Sequence, residues 1–375
     1  MHTETIHLTK GTPGTQRSLT VWRFGNPDAR PVMYVQAALH ADELPGVLVA
    51  HKLRARLSAL EANAEIIGQF VVVPFANPIG LSQVMQGSFQ GRFAMSDGSN
   101  FNRHFPDLLD GAMARLLGRF TDDAADVETN VAMVRAALIA ALDATHASNE
   151  TASLKHALLR LALGADYVLD LHCDGESVTH LYTGTPLIDV CLPLAQALGA
   201  RSVLTADVSG DNPFDEAVSR PWWELAKRFP NAALRNACFS ATVELRGELD
   251  VEHQLAYNDA DAILAFAAQR GLLRNAPLVK STLEPPTVSP LAGVLPVLAP
   301  DAGVVVFSSP PGEWLNAGDL IADLIDPSSG TSTPIVAPVS GLLYARLNAR
   351  YAIAGQRIAK VAGQTALRNG KLLSP

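Results

Sequence analysis

Residues 165–177 read ADYVLDLHCDGES, an apolar run that ends in a cluster of polar side chains. The run YVLDL is short and almost wholly apolar, which is typical of a strand buried inside a sheet. His172 stands at the end of this run. Ligands of open α/β sheets bind at the ends of strands, so the segment predicts a functional site at one edge of a covered sheet.

The flanking sequence alternates between short apolar runs and longer amphipathic patterns. Strands are predicted for two runs within residues 19–39 and for residues 69–78, 165–173, 180–184, 201–206 and 238–247. Helices are predicted near residues 44–60, 124–145, 150–163, 186–198, 222–229 and 252–270. This alternation predicts an α/β fold whose mixed, mostly parallel sheet is flanked by helices.

The composition changes near residue 275. The Pro-rich segment NAPLVKSTLEPPTVSP, residues 275–290, has no periodicity and is typical of a linker. Beyond it, short apolar runs lie between Gly and Pro residues, without a helical pattern. We therefore predict two domains, residues 1–280 and residues 281–375, of which the second is all-β and barrel-like.

The second domain contains an internal repeat. PVLAPDAGVVV at 296–306 aligns with PIVAPVSGLLY at 334–344, which indicates two copies of one β unit. This pattern resembles the biotinyl/lipoyl carrier barrel, which requires a lysine on the hairpin between its halves. Residues 281–359 contain no lysine, which argues against a carrier function. Shielding of a cleft and formation of a homo-oligomer stay open as roles for this domain.

The composition excludes several classes of protein. The chain has 375 residues, of which 48% are hydrophobic and 18% charged, and a net charge of −8, so it is neither disordered nor suited to bind nucleic acid. Its three cysteines form no CxxC pair, as is usual in a reducing compartment. No signal-like N-terminus and no window approaching the ~18 apolar residues of a membrane span occur. We expect a cytoplasmic protein with no membrane association.

Three potential metal ligands lie where strands are predicted to end. His40 and Glu43 are three residues apart in HADE, and His172 lies 132 residues after His40. Two close ligands and a distant one, with a fourth position left for water, are the usual arrangement of catalytic zinc. The alternatives are a helix cap by Asp42 and a structurally satisfied His172. Cys173 should face the protein interior if His172 faces the metal.

Two further segments carry candidate catalytic residues. In SATVELRGELD, Glu244 lies on the polar face of a predicted strand and could move a proton to and from water beside the metal; the alternative is a surface pair of Glu and Arg. QGRFAMSDGSNFNRHFPD adds Arg92, Asn102 and Arg103. A guanidinium can bind a carboxylate through two hydrogen bonds or stabilise an oxyanion, although such residues also serve as loop anchors.

Taken in order, HADE, NFNRHFPD, DLHCDGE and VELRG resemble the succinylglutamate desuccinylase/aspartoacylase family of the zinc carboxypeptidase superfamily. The resemblance implies a zinc carboxypeptidase-like fold and one zinc ion per chain, bound by His40, Glu43 and His172. It also implies Glu244 as general base and acid. Asn102 and Arg103 would hold a substrate carboxylate, and Arg92 is the candidate for a further family arginine. The sequence departs from the family at Ala41 and Asp42 and by a long helical insertion at 107–165.

The expected function is zinc-dependent hydrolysis of the amide bond of an N-acyl amino acid or a related small amine. Two alternatives are a zinc carboxypeptidase-type peptidase and a non-catalytic binding module whose site has decayed. No GxSxG, GxGxxG or GxxxxGK[ST] motif occurs, which disfavours a serine hydrolase and a nucleotide-binding enzyme. Asp174 and Glu176 fit either recognition of a substrate ammonium group or a solvated turn.

Overall fold

A computed structural model describes residues 1–120, 127–275 and 284–373 of the chain. The strands before residue 291 are β1 (His2–His7), β2 (Ser18–Gly25), β3 (Val32–Ala37), β4 (Gln69–Val73), β5 (Val84–Met85), β6 (Ser88–Phe89), β7 (Tyr167–Asp174), β8 (Glu176–Ser177), β9 (His180–Gly184), β10 (Ser202–Ala206), β11 (Phe239–Gly247) and β12 (Thr287–Pro290). Nine of them form one sheet in the order β1-β2-β4-β3-β7-β11-β9-β10-β12.

The centre of this sheet is parallel. Strands β4, β3, β7 and β11 run parallel to one another, and so do β9, β10 and β12. The pairings of β1 with β2, β2 with β4, and β9 with β11 are antiparallel. Every residue of β3 and β4 is buried, because the sheet is covered on both faces. The predicted mixed, largely parallel sheet is thus confirmed.

Helices cover both faces of the sheet. They are α1 (Pro45–Ala62), α2 (Pro78–Leu81), α3 (Leu109–Leu116), α4 (Val127–Asp143), α5 (Glu150–Ala162), α6 (Ile188–Ala197), α7 (Phe214–Arg228) and α8 (His253–Gln269). One apolar core contains side chains of α3, α4, α5 and α7, and a second contains those of α1, α6 and α8. Within the described ranges, no helix is both long enough and apolar enough to cross a membrane.

Several elements differ from the sequence-based expectation: besides the short elements α2, β5, β6, β8 and β12, three longer ones do. Strand β1 and helix α3 were not predicted, and α7 begins at Phe214 instead of Trp222. Pro221, a residue that usually interrupts helices, lies inside α7. The buried face of α7, which includes Phe214 and Trp222, packs in the first core and favours the longer helix. The predicted start of α4, at residue 124, lies outside the described residues.

The C-terminal strands occur in two sets of four. They are β13 (Val294–Leu298), β14 (Gly303–Phe307), β15 (Trp314–Leu315) and β16 (Leu320–Asp326), followed by β17 (Thr331–Val336), β18 (Gly341–Arg346), β19 (Tyr351–Ala352) and β20 (Arg357–Gly363). They form the sheets β13-β20-β18-β15 and β17-β16-β14-β19, each with strands from both sets. One apolar core draws on both sheets. The described strands thus form two packed sheets, and the expectation of a barrel-like domain is corrected in this respect: no closed barrel is formed.

The two parts of the chain contact each other through backbone and side chains. The predicted domain boundary, at residues 280 and 281, lies outside the described residues. Strand β12, which follows the gap, pairs with β10 and so extends the nine-stranded sheet past the predicted boundary. Strand β8 pairs with β18 of the C-terminal sheets. These pairings place the β-rich part beside the ends of β7 and β11.

Candidate metal centre and active-site cleft

The register of the central strands brings the distant candidate residues together. Strands β3 and β7 are parallel, with Ala37 opposite Leu171, and β7 and β11 are parallel, with His172 opposite Glu244. His40 lies three residues beyond the end of β3. All of these positions are at the carboxyl edge of the parallel strands, where open α/β sheets bind ligands.

His40, Glu43 and His172 form a buried group with the geometry of a metal site. His40 Nδ1 lies 2.9 Å from Glu43 Oε1, and His172 Nδ1 lies 2.7 Å from Glu43 Oε2. One candidate ligand atom from each residue lies within 4.8 Å of the other two. The set of two imidazoles and one carboxylate is a common ligand set of catalytic zinc.

The HADE segment forms a turn ahead of a helix. The backbone N–H of Glu43 donates to the carbonyl of His40 at 3.2 Å, and α1 begins only at Pro45. The N-cap of α1 is Leu44, which makes no side-chain capping bond. The alternative interpretation, a cap by Asp42, is therefore wrong. The tight turn is what allows ligands three residues apart to point at one centre.

Each histidine also contacts an oxygen atom with its second ring nitrogen. His40 Nε2 lies 2.9 Å from Asn100 Oδ1, and His172 Nε2 lies 2.9 Å from Asp170 Oδ2. Asp170 is fully buried, and its Oδ1 accepts a hydrogen bond from Gln36. Such partners fix the orientation of ligand imidazoles. Sequence analysis did not single out Asp170 or Asn100, although the spacing D-x-H on a strand places Asp170 on the same face as His172.

The surroundings of His40 are compatible with a cation in this group. Burial lowers the pKa of His40 to about 4, so its ring is neutral near pH 7 and carries one N–H. Both of its ring nitrogens nevertheless face oxygen acceptors, Glu43 Oε1 and Asn100 Oδ1. The latter atom also accepts the backbone N–H of Asn102, which identifies it as oxygen. A divalent cation held by this group would remove the mismatch, and the donor set of two imidazoles and one carboxylate fits zinc.

Glu244 lies beside this group without a partner of its own. Among the described residues, its Oε2 is buried and makes no hydrogen bond. Burial, followed by repulsion from the Glu43 carboxylate, raises the pKa of Glu244 to about 8. The alternative of a surface Glu/Arg pair is wrong, because Arg246 instead binds Asp259 on α8. Glu244 is thus available to exchange a proton inside the cleft.

Arg92, Asn102 and Arg103 line the same cleft. Arg92 Nη1 lies 3.4 Å from both His40 Nδ1 and Glu43 Oε1. The amide nitrogen of Asn102 lies 3.4 Å from His172 Nε2. Arg103 is buried and donates to the carbonyl of Asn102 at 2.7 Å. The structure therefore brings together all seven candidate residues named from the sequence.

The β-rich part contributes to the cleft, which sequence analysis did not foresee. Arg357, Lys360 and Leu373 are among the lining residues. The register of β20 against β13 shifts at one position, a bulge between Arg357 and Ala359. Strand residues three apart normally face opposite sides, and a bulge between them restores a common side. This explains how Arg357 and Lys360 both reach the cleft.

Asp174 and Glu176 connect the two parts of the chain. Asp174 forms an ion pair with Lys360, and Glu176 Oε2 accepts a hydrogen bond from Arg346 Nε at 2.6 Å. Arg350 also pairs with Glu176. Neither acid therefore stands in a solvated turn. Their partners are cations of the chain itself.

Among the described residues, the candidate metal group contains no cysteine. All three cysteines are free and buried. Burial raises the pKa of the Cys173 thiol, which makes it a poor ligand near neutral pH. The backbone N–H of Cys173 donates to Glu43 Oε2 at 3.2 Å, so the contribution of this residue is to hold the carboxylate.

The fold and the buried group define a mixed α/β protein with a candidate metal site at its strand ends. Residues 29–132 match the model of the succinylglutamate desuccinylase/aspartoacylase catalytic domain, so the resemblance to this family is confirmed. A family protein of this name from Shewanella amazonensis is 26% identical, with 96% of this chain and 98% of that chain covered and a TM-score of 0.85.

Two more distant structures share the fold. One is a protein from Shewanella frigidimarina with the same family name, 23% identical, with 96% of each chain covered and a TM-score of 0.84. The other is the ectoine utilization protein EutE (DoeB) from Ruegeria pomeroyi, 17% identical, with 97% of this chain and 95% of that chain covered and a TM-score of 0.66. No curated protein matches the sequence significantly.

Proposed function

We propose that this protein is a zinc-dependent hydrolase that cleaves the amide bond of an N-acyl amino acid or a related small amine. The observation that carries the proposal is the buried group of His40, Glu43 and His172, in which one candidate ligand atom from each residue lies within 4.8 Å of the other two. His40, Glu43 and His172 would hold one zinc ion. When bound, zinc acts as a Lewis acid that acidifies a water molecule and polarises an acyl carbonyl.

Glu244 is the proposed general base and general acid. Two observations support this role: Glu244 lies opposite His172 in the sheet, and it lines the same cleft. The charge of Glu43 contributes to the raised pKa of Glu244, and this repulsion falls when Glu43 binds a cation. Glu244 then takes a proton from water and delivers it to the leaving nitrogen.

The remaining cleft residues bind and orient the substrate in this proposal. Arg103 and Asn102 hold the carboxylate of the amino acid, for which a guanidinium fork is well suited. Arg92 reaches the site from a partly exposed loop and stabilises negative charge that develops on the acyl oxygen.

The first test of the proposal is a deacylation screen with the zinc content measured beforehand. N-succinyl, N-acetyl and N-formyl amino acids are compared with short peptides. Glu244→Gln keeps the metal ligands but cannot accept a proton, so we expect an unchanged zinc content and a kcat reduced by at least about 100-fold. His40→Ala removes a ligand, so we expect loss of zinc.

Glu252→Gln is the matched control, because Glu252 is an exposed glutamate that makes no capping bond at the start of α8. Full activity of Glu244→Gln would refute the role of Glu244. Purified protein that binds no zinc and cleaves none of the amides would refute the proposed function. Cleavage of peptides alone would identify a peptidase instead of a deacylase.

A further inference from the structure

The side chain of Lys155 is buried behind the active-site loop. Lys155 lies on α5, within the helical insertion at 107–165, and is only 7% exposed. Its ammonium group donates to the carbonyl of Arg103 at 2.6 Å and to the carbonyl of Asn100 at 3.2 Å. Within the described ranges, it forms no ion pair, and its nearest aromatic ring is that of Phe105, at 5.7 Å from the centroid.

The loop bound by Lys155 carries groups for both halves of the site. Asn100 contacts His40 through its side chain, so it orients a metal ligand. Asn102 lies next to His172, and Arg103 lines the cleft. The two carbonyls that accept from Lys155 belong to the first and last residues of this four-residue segment. One ammonium group therefore fixes both ends of Asn100–Arg103.

Burying an ammonium group that has no carboxylate in ion-pair contact costs free energy, because the charge loses its hydration. Burial accordingly lowers the pKa of Lys155 to about 8. An apolar side chain of similar length would fill the same volume without this penalty. The two carbonyls of the active-site loop accept hydrogen bonds that compensate for the lost hydration, and the charge of Asp97 adds to this compensation.

We propose that Lys155 is a positioning residue that holds the Asn100–Arg103 loop in the geometry needed for metal and substrate binding, and that this is a role of the helical insertion. The inference rests on the proposed function for its kinetic consequences. Lys155 itself touches neither the reacting atoms nor the metal ligands.

The test compares Lys155→Met with Lys52→Met and Lys155→Arg. Lys52 is the matched control, because it is as buried as Lys155, with 6% of its surface exposed. It lies on α1, and its ammonium group lies 4.1 Å from the ring centroid of Tyr257 on α8. For Lys155→Met we expect about a tenfold higher KM for the N-acyl amino acid and about a tenfold faster loss of zinc to a chelator. The kcat should change less than KM. Lys155→Arg keeps the positive charge, so its KM and its rate of zinc loss should be close to those of the parent protein.

A third measurement does not depend on activity. Hydrogen exchange of the backbone amides of residues 101–103 should be faster in Lys155→Met than in Lys52→Met. Each variant is measured at the same number of degrees below its own melting temperature. Unchanged exchange, KM and zinc retention in Lys155→Met would overturn the inference, as would equal changes in Lys52→Met. If the parent protein cleaves no amide, the proposed function fails, and the exchange data alone decide on Lys155. If Lys155→Met does not fold, Lys155→Gln takes its place.

Discussion

At the scale of single residues, the cleft contains a carboxyl group whose ionisation opposes folding. Asp215 lies in the first turn of α7, is 9% exposed and lines the cleft. Burial, and then the charges of Glu216 and Asp170, raise its pKa to about 7. The unfolded chain has an ordinary value near ~3.9. The folded protein therefore binds the Asp215 proton more tightly than the unfolded chain does. The stability that this protonated carboxyl group contributes is lost as the pH rises from about 4 to about 7.

We predict that Asp215→Asn raises the free energy of unfolding at pH 8 by up to about 4 kcal/mol and has a much smaller effect at pH 4. The reason is that asparagine carries no charge that must be buried. Urea unfolding of the metal-free protein at the two pH values measures the difference. Asp189→Asn, at an exposed position of α6, is the control. The same gain at both pH values would contradict the explanation.

The residues of the site differ in how far a sequence can reveal them. His40, Glu43 and His172 could be predicted because ligand-type side chains stand where apolar runs end. Asp170 could have been found from its spacing to His172. Lys155 could not, since its partners lie more than 50 residues away and its own helix has an ordinary amphipathic pattern. Contacts of this kind depend on packing between elements.

At the scale of elements, buried strands were easier to predict than edge elements. The apolar runs of β3, β4, β7 and β11 identify strands covered on both sides. Strand β1 reads HTETIH and is mostly exposed at the sheet edge, so it lacks such a run. Its pairing with β2 is what makes it a strand. Composition alone does not contain that information.

An ion pair holds the irregular C-terminal end of strand β11. The register with β7 shifts between Glu244 and Gly247, and Arg246 has a φ of +63°, a left-handed conformation that costs energy for a residue with a side chain. Both Arg246 Nη atoms bind the carboxylate of the buried Asp259 on α8. This pair holds the irregular backbone two residues beyond Glu244.

We predict that Asp259→Asn destabilises the protein by about 1 kcal/mol, because Arg246 loses its charged partner while the burial that raises the pKa of Asp259 no longer opposes a charge. The kcat should fall as well, since the end of β11 that carries Glu244 is released. The double variant Arg246→Met/Asp259→Leu should regain much of the stability, as replaced ion pairs often do. Urea unfolding and steady-state kinetics test both effects. A fully stable Asp259→Asn would show that the pair does not hold the bulge.

At the scale of the whole molecule, the sequence repeat predicts the β-rich part of the chain but not how this part packs against the α/β part. Two sets of four strands follow from the repeat at an offset of 38 residues. The interface with the α/β part depends on the pairing of β8 with β18 and on cations that meet Asp174 and Glu176. In sequence, these acids are indistinguishable from those of a solvated turn. The interface makes Lys360 part of the same cleft as the candidate metal ligands.

The pair of Asp174 and Lys360 gives the last prediction. Burial opposes the charge of Asp174, yet the Lys360 ammonium holds the pKa of this carboxyl at about 2. Because this value lies below the unfolded one, the pair stabilises the protein above about pH 4, and the effect is lost as pH falls towards 2. Lys360→Met should lower the unfolding free energy by about 2 kcal/mol at pH 7 and by progressively less below pH 4. Lys371→Met, which breaks the exposed pair with Asp211, should change stability by less than about 1 kcal/mol. Equal losses in the two variants would mean that the Asp174 pair does not join the β-rich part to the cleft.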